Sequence, residues 1–248
     1  MSEDLDLSII IPVKNEAEAV PVLAGEIEQA MAGLDIRWEC LWIDDGSTDA
    51  TLARIEELHR RESRHHFVSM ARNCGQSAAL LAGFDYARGR IIATLDGDLQ
   101  SDPGDLPLLL PLLRRGEVDM VCGIRVLRHD SRLRRICSRL GNRLRNVITG
   151  ERMTDEGCAV RVFYRECVVG LPRFRGLHRF LPGLAELRGF RWIEVPVRHR
   201  PRSLGRSKYG IRNRLWPVVV DTLGVSWLRR RAAAPVVKRS SLPETRSE

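Results

Sequence analysis

Lysine is nearly absent from this chain, standing only at Lys14, Lys208 and Lys238, so arginine supplies almost all of the positive charge. Aromatic residues make up only 6%, and few accompany the basic segments, which argues against a base-stacking surface for nucleic acid. No window reaches the roughly 18–20 apolar residues of a membrane span. The best candidate, Trp216 to Leu228, is too short and contains Pro217 and Asp221. The acidic start, MSEDLDLS, lacks the pattern of a secretory leader. Cys40, Cys74, Cys122, Cys137, Cys158 and Cys167 form neither a CxxC pair nor a Cys/His cluster with zinc spacing. Cys122 and Cys137 read as small core residues, and a reduced, cytoplasmic protein is expected. His65, His66, His178 and His199 have no metal-like partners and read as non-catalytic. The segment KNEAEA after the first apolar run lacks a glycine-rich phosphate loop, which sets a nucleotidyltransferase aside.

A chain of 248 residues, 44% hydrophobic and 29% charged, fits one large globular domain or at most two small ones. The formal charge is +8, which points to anionic partners. The first half alternates short apolar runs with helical patterns. Leu7 to Val13, Trp38 to Ile43, Phe67 to Met70, Arg90 to Leu95 and Met120 to Gly123 read as strands. Ala17 to Met31, the segment carrying Leu52, Ile55 and Leu58, and Gln76 to Ala87 read as helices, with Ser47 or Thr48 capping the second. Such alternation predicts an α/β fold, a mostly parallel sheet covered on both faces. Ligands bind such sheets at the carboxyl ends of the strands. The polar clusters KNE, DDGSTD, ARNCGQ and DGDLQSD all fall there. The second half adds a long arginine-rich helix over residues 130–148, strands at Ala159 to Tyr164 and Trp192 to Val197, and a short helix at Phe180 to Leu187. It continues with the basic loop RHRPRSLGRSKY and an amphipathic segment over 211–228. From Arg229 onward the composition predicts a mobile basic tail. Residues 1–228 thus read as a single domain, with halves at 7–125 and 126–228 and a tail at 229–248.

Asp96 and Asp98, two apart just past a strand, suit a hard divalent cation, Mg²⁺ or Mn²⁺, that also takes oxygens from substrate phosphates. Asp44 and Asp45 are expected to stand exposed at the sheet edge, where carboxylates accept from a base or a ribose. Pro12 and Glu16 flank the exit of the first strand, Pro12 placed to stack on a base.

These segments taken together, IIIPVKNE, WIDDGSTDAT, ARNCGQSAALLAGFDYARG and IIATLDGDLQSDP, resemble the family 2 glycosyltransferases with the GT-A fold, collinearly over residues 7–125. Gly123–Arg125, Ser138–Asn142, TDEGCAVRVFYRE and RPRSLGRSKYG resemble the polyprenyl-phosphate, dolichol-phosphate mannose synthase-like branch. The resemblance implies a Rossmann-like nucleotide-binding sheet with C-terminal amphipathic helices. It implies nucleotide-sugar contacts from Pro12, Val13, Glu16, Asp44, Asp45 and Asp96, and a metal on Asp98 and Gln100. It places Arg125, Arg202 and Lys208 around the phosphates as catalytic cations beside Asp98. Val13-Lys14 departs from the aromatic residue usual there, and the membrane helices of many relatives have no counterpart in the sequence.

A lipid phosphate is already an anionic nucleophile and needs cations rather than a base. Arg134 and Ser138, one turn apart, together with Arg202 and Lys208, are the candidates to hold it. The expected activity is inverting transfer of a sugar from a UDP- or GDP-sugar to a polyprenyl phosphate. The expected setting is the inner face of the cytoplasmic membrane, reached peripherally through an anionic surface, a homo-oligomer or a membrane-protein partner. Nucleic acid is not an expected partner, because acidic loops at the sheet edge repel a phosphate backbone. The alternative is the same fold acting on a saccharide or glycolipid hydroxyl, which needs a base such as Asp155, Glu156 or Glu186.

Overall fold

The computed structural model describes residues 5–125, 145–201 and 215–232. Seven strands form one sheet in the order β3-β2-β1-β4-β6-β5-β7. They are β1 (Leu7–Val13), β2 (Trp38–Asp44), β3 (His65–Ser69), β4 (Ile91–Thr94), β5 (Met120–Arg125), β6 (Arg161–Tyr164) and β7 (Trp192–Val197). All pairings are parallel except those of β6, which runs antiparallel to both β4 and β5.

The apolar runs follow from this layering. Strand β1 lies between β2 and β4 and has a core on each face. Leu7, Ile9 and Ile11 enter one core and Ile10 the other, as the period of two requires. On the first face pack α1 (Ala19–Met31), α2 (Thr51–Arg61) and α4 (Leu106–Arg114), through Leu23, Ile27, Ile55, Leu109 and Leu113. On the second pack α3 (Gln76–Tyr86), α5 (Leu181–Glu186) and α6 (Leu215–Arg231), through Leu80, Phe84, Leu184 and Val225.

Several expectations shift. Strand β3 begins two residues earlier than expected and includes both His65 and His66. Helix α2 is capped by neither Ser47 nor Thr48. Asp49 Oδ1 accepts from Thr51 N–H at 3.0 Å and from Thr51 Oγ1–H at 2.5 Å. Ser47 Oγ instead accepts from Asn15 N–H at 2.9 Å, and Thr48 N–H donates to Asn15 Oδ1 at 2.8 Å, joining the loops after β1 and β2. The tail was expected from Arg229, but α6 runs to Arg231. Arg229 Nη2 donates to Glu186 Oε2 at 3.0 Å and Nη1 to Gly183 O at 3.1 Å. Of the arginine-rich helix, residues 145–149 are described and helical. Arg145 is buried, 4% exposed, while Val147 is 77% exposed. The reason is electrostatic: Arg145 meets Glu151 and Glu156 inside and lies 4.5 Å from the ring centre of Phe180.

Candidate active site

The loops at the carboxyl ends of β1, β2 and β4 are locked together by residues too small or too strained to be incidental. Gly97 sits where a Cβ would lie 2.5 Å from Val13 Cγ1 and 3.2 Å from Pro12 O. Only glycine lets the loop after β4 pass this close to the exit of β1. Gly46, at φ +63, is likewise pressed against the backbone of Arg72 and Asn73. Leu99 adopts φ 63 and is buried, 5% exposed. A non-glycine residue in the left-handed region costs about 1–3 kcal/mol, and such strain clusters at ligand sites. Here the buried leucine anchors a turn that presents Asp98 before it and Gln100 after it.

Asp96 and Asp98 are half-buried. Gln76 Nε2, at the start of α3, donates to Asp96 Oδ1 at 3.1 Å. Gln100 N–H donates to Asp98 Oδ1 at 3.2 Å. Gln100 also pairs with the chain beyond β7: its O accepts from Arg200 N–H at 2.9 Å and its Nε2 donates to Arg200 O at 3.4 Å. Arg198 bonds Asp105 through N–H at 2.8 Å and Nε at 2.9 Å, and Arg200 pairs with Asp102 at 3.1 Å. The chain just beyond β7 is therefore fastened to the Asp98 turn.

Asp44 and Asp45 are not exposed as expected; they are 2% and 6% exposed. Asp44 accepts from Ser47 N–H at 3.1 Å and Ser69 Oγ–H at 3.3 Å. Asp45 accepts from Cys74 N–H at 2.6 Å and Gly75 N–H at 2.9 Å, which shapes the loop before α3. Pro12 and Asp96 line a cleft at this edge, Val13 is buried beside it, and Glu16 is half-buried with its N–H donating to Thr51 Oγ1 at 2.8 Å. Arg125, at the end of β5, is clasped by Asp155. Burial works against its charge, but Asp155 and the nearby charge of Asp96 hold the guanidinium above its ordinary value. Arg134, Ser138, Arg202 and Lys208 lie outside the described residues.

The cleft encloses about 720 Å³. Its lining includes Pro12, Gln76 and Asp96 together with Glu156, Arg161, Arg175 and Arg179. Glu156 had been read only as a base for a hydroxyl acceptor; Gln76 and Arg161 fall within the segments ARNCGQ and TDEGCAVRVFYRE but were given no role of their own, and Arg175 and Arg179 carried no sequence signal beyond their type. Among the described residues no group of three or more His, Cys, Asp or Glu side chains could hold a metal. The oxygens of Asp98, Asp96 and Gln100 nonetheless fit a hard cation that completes its shell with water and ligand phosphate. Cysteine chemistry is excluded for Cys122 and Cys158, whose thiols burial pushes up to about 12 and about 11.

A family model described as glycosyl transferase family 2 matches residues 8–170. The dodecaprenyl-phosphate galacturonate synthase of Rhizobium johnstonii is 40% identical over 238 residues, covering 94% of this chain and 70% of that protein. The mannosyltransferase PcManGT of Pyrobaculum calidifontis, solved with GDP-Man and Mn²⁺, is similar with a TM-score of 0.67 at 19% identity, over 94% of this chain and 67% of that one. The glucosyl-3-phosphoglycerate synthase of Mycobacterium tuberculosis, solved with Mn²⁺, UDP-Glc and phosphoglyceric acid, gives 0.65 at 19% identity, over 90% and 79%. At such identities these two structures speak to the fold alone.

Proposed function

Since the chain belongs to glycosyl transferase family 2 and is a glycosyltransferase of the GT-A fold, we propose that it moves a sugar from a nucleoside diphosphate to a polyprenyl phosphate, with inversion. The observation that carries this is the identity of 40% across 94% of the chain to a protein named for a dodecaprenyl-phosphate product.

Asp98 and Gln100 would hold a divalent cation, Mg²⁺ or Mn²⁺, which when bound offsets the charge that develops on the departing diphosphate. Both solved neighbours named above contain Mn²⁺. Pro12 offers the nucleotide base an apolar face at the cleft. Gln76 orients Asp96 toward the polar part of the nucleotide. Arg125, held by Asp155, adds a fixed positive charge near Asp96. The acceptor phosphate forms its bond to the anomeric carbon as the bond to the diphosphate breaks, and it loses no proton. Arg134, Ser138, Arg202 and Lys208 are assigned to that phosphate.

The rival acceptor, a hydroxyl, needs a general base. Each candidate carboxylate is already in an ion pair: Asp155 with Arg125 at 2.8 Å, Glu156 with Arg145 at 2.8 Å, and Glu186 with Arg229 at 3.0 Å.

The site of action we propose is an anionic membrane surface on its cytoplasmic side. Among the described residues no helix is long and apolar enough to cross a membrane. Helix α6 exposes Val219, Val220, Leu223 and Trp227 and ends in Arg229–Arg231. Its Ser226 Oγ–H donates to Ile148 O at 2.7 Å, which places exposed Val147 on a neighbouring element. The deciding experiment incubates the full chain with a panel of UDP- and GDP-sugars, Mn²⁺ or Mg²⁺ and a short polyprenyl phosphate, and resolves lipid products by mass. A polyprenyl-phosphate sugar is expected. Transfer to saccharide hydroxyls with none to the lipid phosphate overturns the reading.

A further inference from the structure

His178 carries no signal of its own in the sequence, yet it lines the cleft, half-buried, in the tight turn Leu177–Arg179. It is held at two points. Its carbonyl oxygen accepts from Arg161 Nη1 at 2.6 Å. Its ring Nδ1 lies 2.7 Å from Oγ of Ser77, in the first turn of α3. Ser77 is 6% exposed, and its Oγ accepts from Gly176 N–H at 2.9 Å. Gly176 leads into the turn at φ +92, where a Cβ would lie 2.8 Å from Nη2 of Arg179. These contacts fix which ring nitrogen carries the proton. A buried hydroxyl needs an acceptor for its own hydrogen. Among the described residues the one that Ser77 meets is Nδ1 of His178. Ser77 therefore donates to Nδ1, and the neutral imidazole keeps its N–H at Nε2, on the far side of the ring.

A side chain pinned at its backbone and at one ring nitrogen is a donor set in place before any ligand arrives. The same turn of α3 ties this donor to the carboxylate assigned to the nucleotide. Gln76, next to Ser77 in the chain, donates from Nε2 to Asp96 Oδ1 at 3.1 Å, and Asp96 and His178 line one cleft. We infer that His178 is a further binding residue of this site: its Nε2–H donates to an oxygen of the nucleotide sugar, and Ser77 is the positioning residue that holds the ring for it. This rests on the glycosyl-transfer reading and adds two residues to it.

Two partial isosteres separate this role from a purely structural tie. Glutamine brings its amide nitrogen close to the position of Nε2, whereas asparagine reaches only to that of Nδ1. The full chain with Mn²⁺ is titrated by calorimetry with the UDP- or GDP-sugar that the wild type binds most tightly, and kcat and KM are measured with a short polyprenyl phosphate. His178→Ala is expected to weaken nucleotide-sugar binding about tenfold, the effect of losing a hydrogen bond to a polar ligand. His178→Gln recovers most of that loss, and His178→Asn, which still meets Ser77, does not. Ser77→Ala gives a smaller loss that vanishes in the His178→Ala background, because the hydroxyl then has no ring to hold. Recovery by His178→Asn and not by His178→Gln assigns the ring to the Ser77 tie alone and overturns the inference, as does unchanged affinity in His178→Ala. A raised KM for polyprenyl phosphate with unmoved nucleotide-sugar affinity gives His178 to the acceptor and overturns it too. A nucleotide sugar that binds but is transferred to no lipid phosphate sinks the proposed transfer, while the order of affinities among the variants still decides the role of His178.

Discussion

The guanidinium of Arg125 closes on Asp155 through two parallel hydrogen bonds, Nε to Oδ2 and Nη2 to Oδ1, each 2.8 Å. The main-chain N–H of Arg125 adds a third contact to Oδ2 at 3.1 Å. Gly157 is the price of this approach: a Cβ there would lie 2.6 Å from Nη2 of Arg125. Removing one member of a buried pair leaves the other charged and uncompensated. Asp155→Ala is therefore expected to destabilise the protein by about 3 kcal/mol in denaturant unfolding. It should also raise KM for the nucleotide sugar, because Arg125 then lacks a fixed position. An unchanged unfolding midpoint would contradict the pair's structural weight.

Asp98 tests the cation. Asp98→Asn keeps the shape of the turn and an acceptor for Gln100 N–H, which bonds Asp98 Oδ1 at 3.2 Å. Loss of electrostatic stabilisation of the leaving group is expected to cost about 3 kcal/mol or more of barrier, on the order of 10²-fold in kcat. Chelation of divalent cations should abolish wild-type turnover and restore it on adding Mn²⁺ or Mg²⁺. Full turnover by the variant in metal-free buffer would refute the assignment.

Gly97 tests how the cleft is assembled. A methyl group there meets Val13 Cγ1 at 2.5 Å, which can shift, and Pro12 O at 3.2 Å, which is backbone and yields less. Gly97→Ala should cost about 1–3 kcal/mol of stability by overpacking. It should lower kcat more than Asp155→Ala does, since the displaced loop carries both Asp96 and Asp98. Equal activity with reduced stability would separate the packing role from the catalytic one.

What the sequence revealed of this fold was what periodicity and spacing encode. The apolar runs that became β1, β2 and β4 are continuous because each has a core on both faces, so they stood out from their flanks. The Asp96–Asp98 turn was legible because its residue types are those a cation requires. Helix α4 was not, because Pro107 and Pro111 interrupt LPLLLPLLR. It forms nonetheless, with Pro107 in the first turn where no N–H is needed and Leu106, Leu109, Leu110 and Leu113 buried. The burial of Asp44 and Asp45 was equally hidden. Their partners, Ser69, Cys74 and Gly75, lie 25 to 30 residues away, and no local pattern announces such pairs. Arg161 sits between two valines in sequence, and its bonds to the main-chain oxygens of His178 and Glu156 are a property of the folded neighbourhood alone.

His65 predicts a dependence of stability on pH. Its ring is fully buried on β3, and Nδ1 accepts from Trp42 Nε1–H at 3.1 Å. Burial, outweighing the attraction of Glu28, holds its pKa below the ordinary value. Burial and then the charge of Arg88 do the same for His66. The native rings are neutral, so the unfolded chain binds more protons below an unfolded pKa of about 6.5. Stability from these residues is present above that pH and is lost as pH falls toward the folded values. Unfolding midpoints at about pH 7.5 and about pH 5.5 should show a drop, smaller in His65→Gln than in the wild type. An equal drop in both would remove His65 from the account.

The exposed side of α6 tests the membrane reading. Leu223 and Trp227 are one helical turn apart and stand 56% and 64% exposed, an unusual position for large apolar side chains on a chain in water. Arg230 and Arg231, both exposed, follow at the end of the helix, where an anionic headgroup layer would meet them. Because both apolar side chains already face solvent, Leu223→Glu with Trp227→Glu should leave the unfolding midpoint within about 0.5 kcal/mol of the wild type. Sedimentation with vesicles containing anionic lipid should fall at least about tenfold, since two apolar anchors are lost and two like charges face the surface. Turnover of a short, water-soluble polyprenyl phosphate should change little, because neither residue lines the cleft. Undiminished vesicle binding by this variant would move the membrane contact elsewhere on the protein, whereas a shift in its oligomeric state would assign the same face to a second copy of the chain.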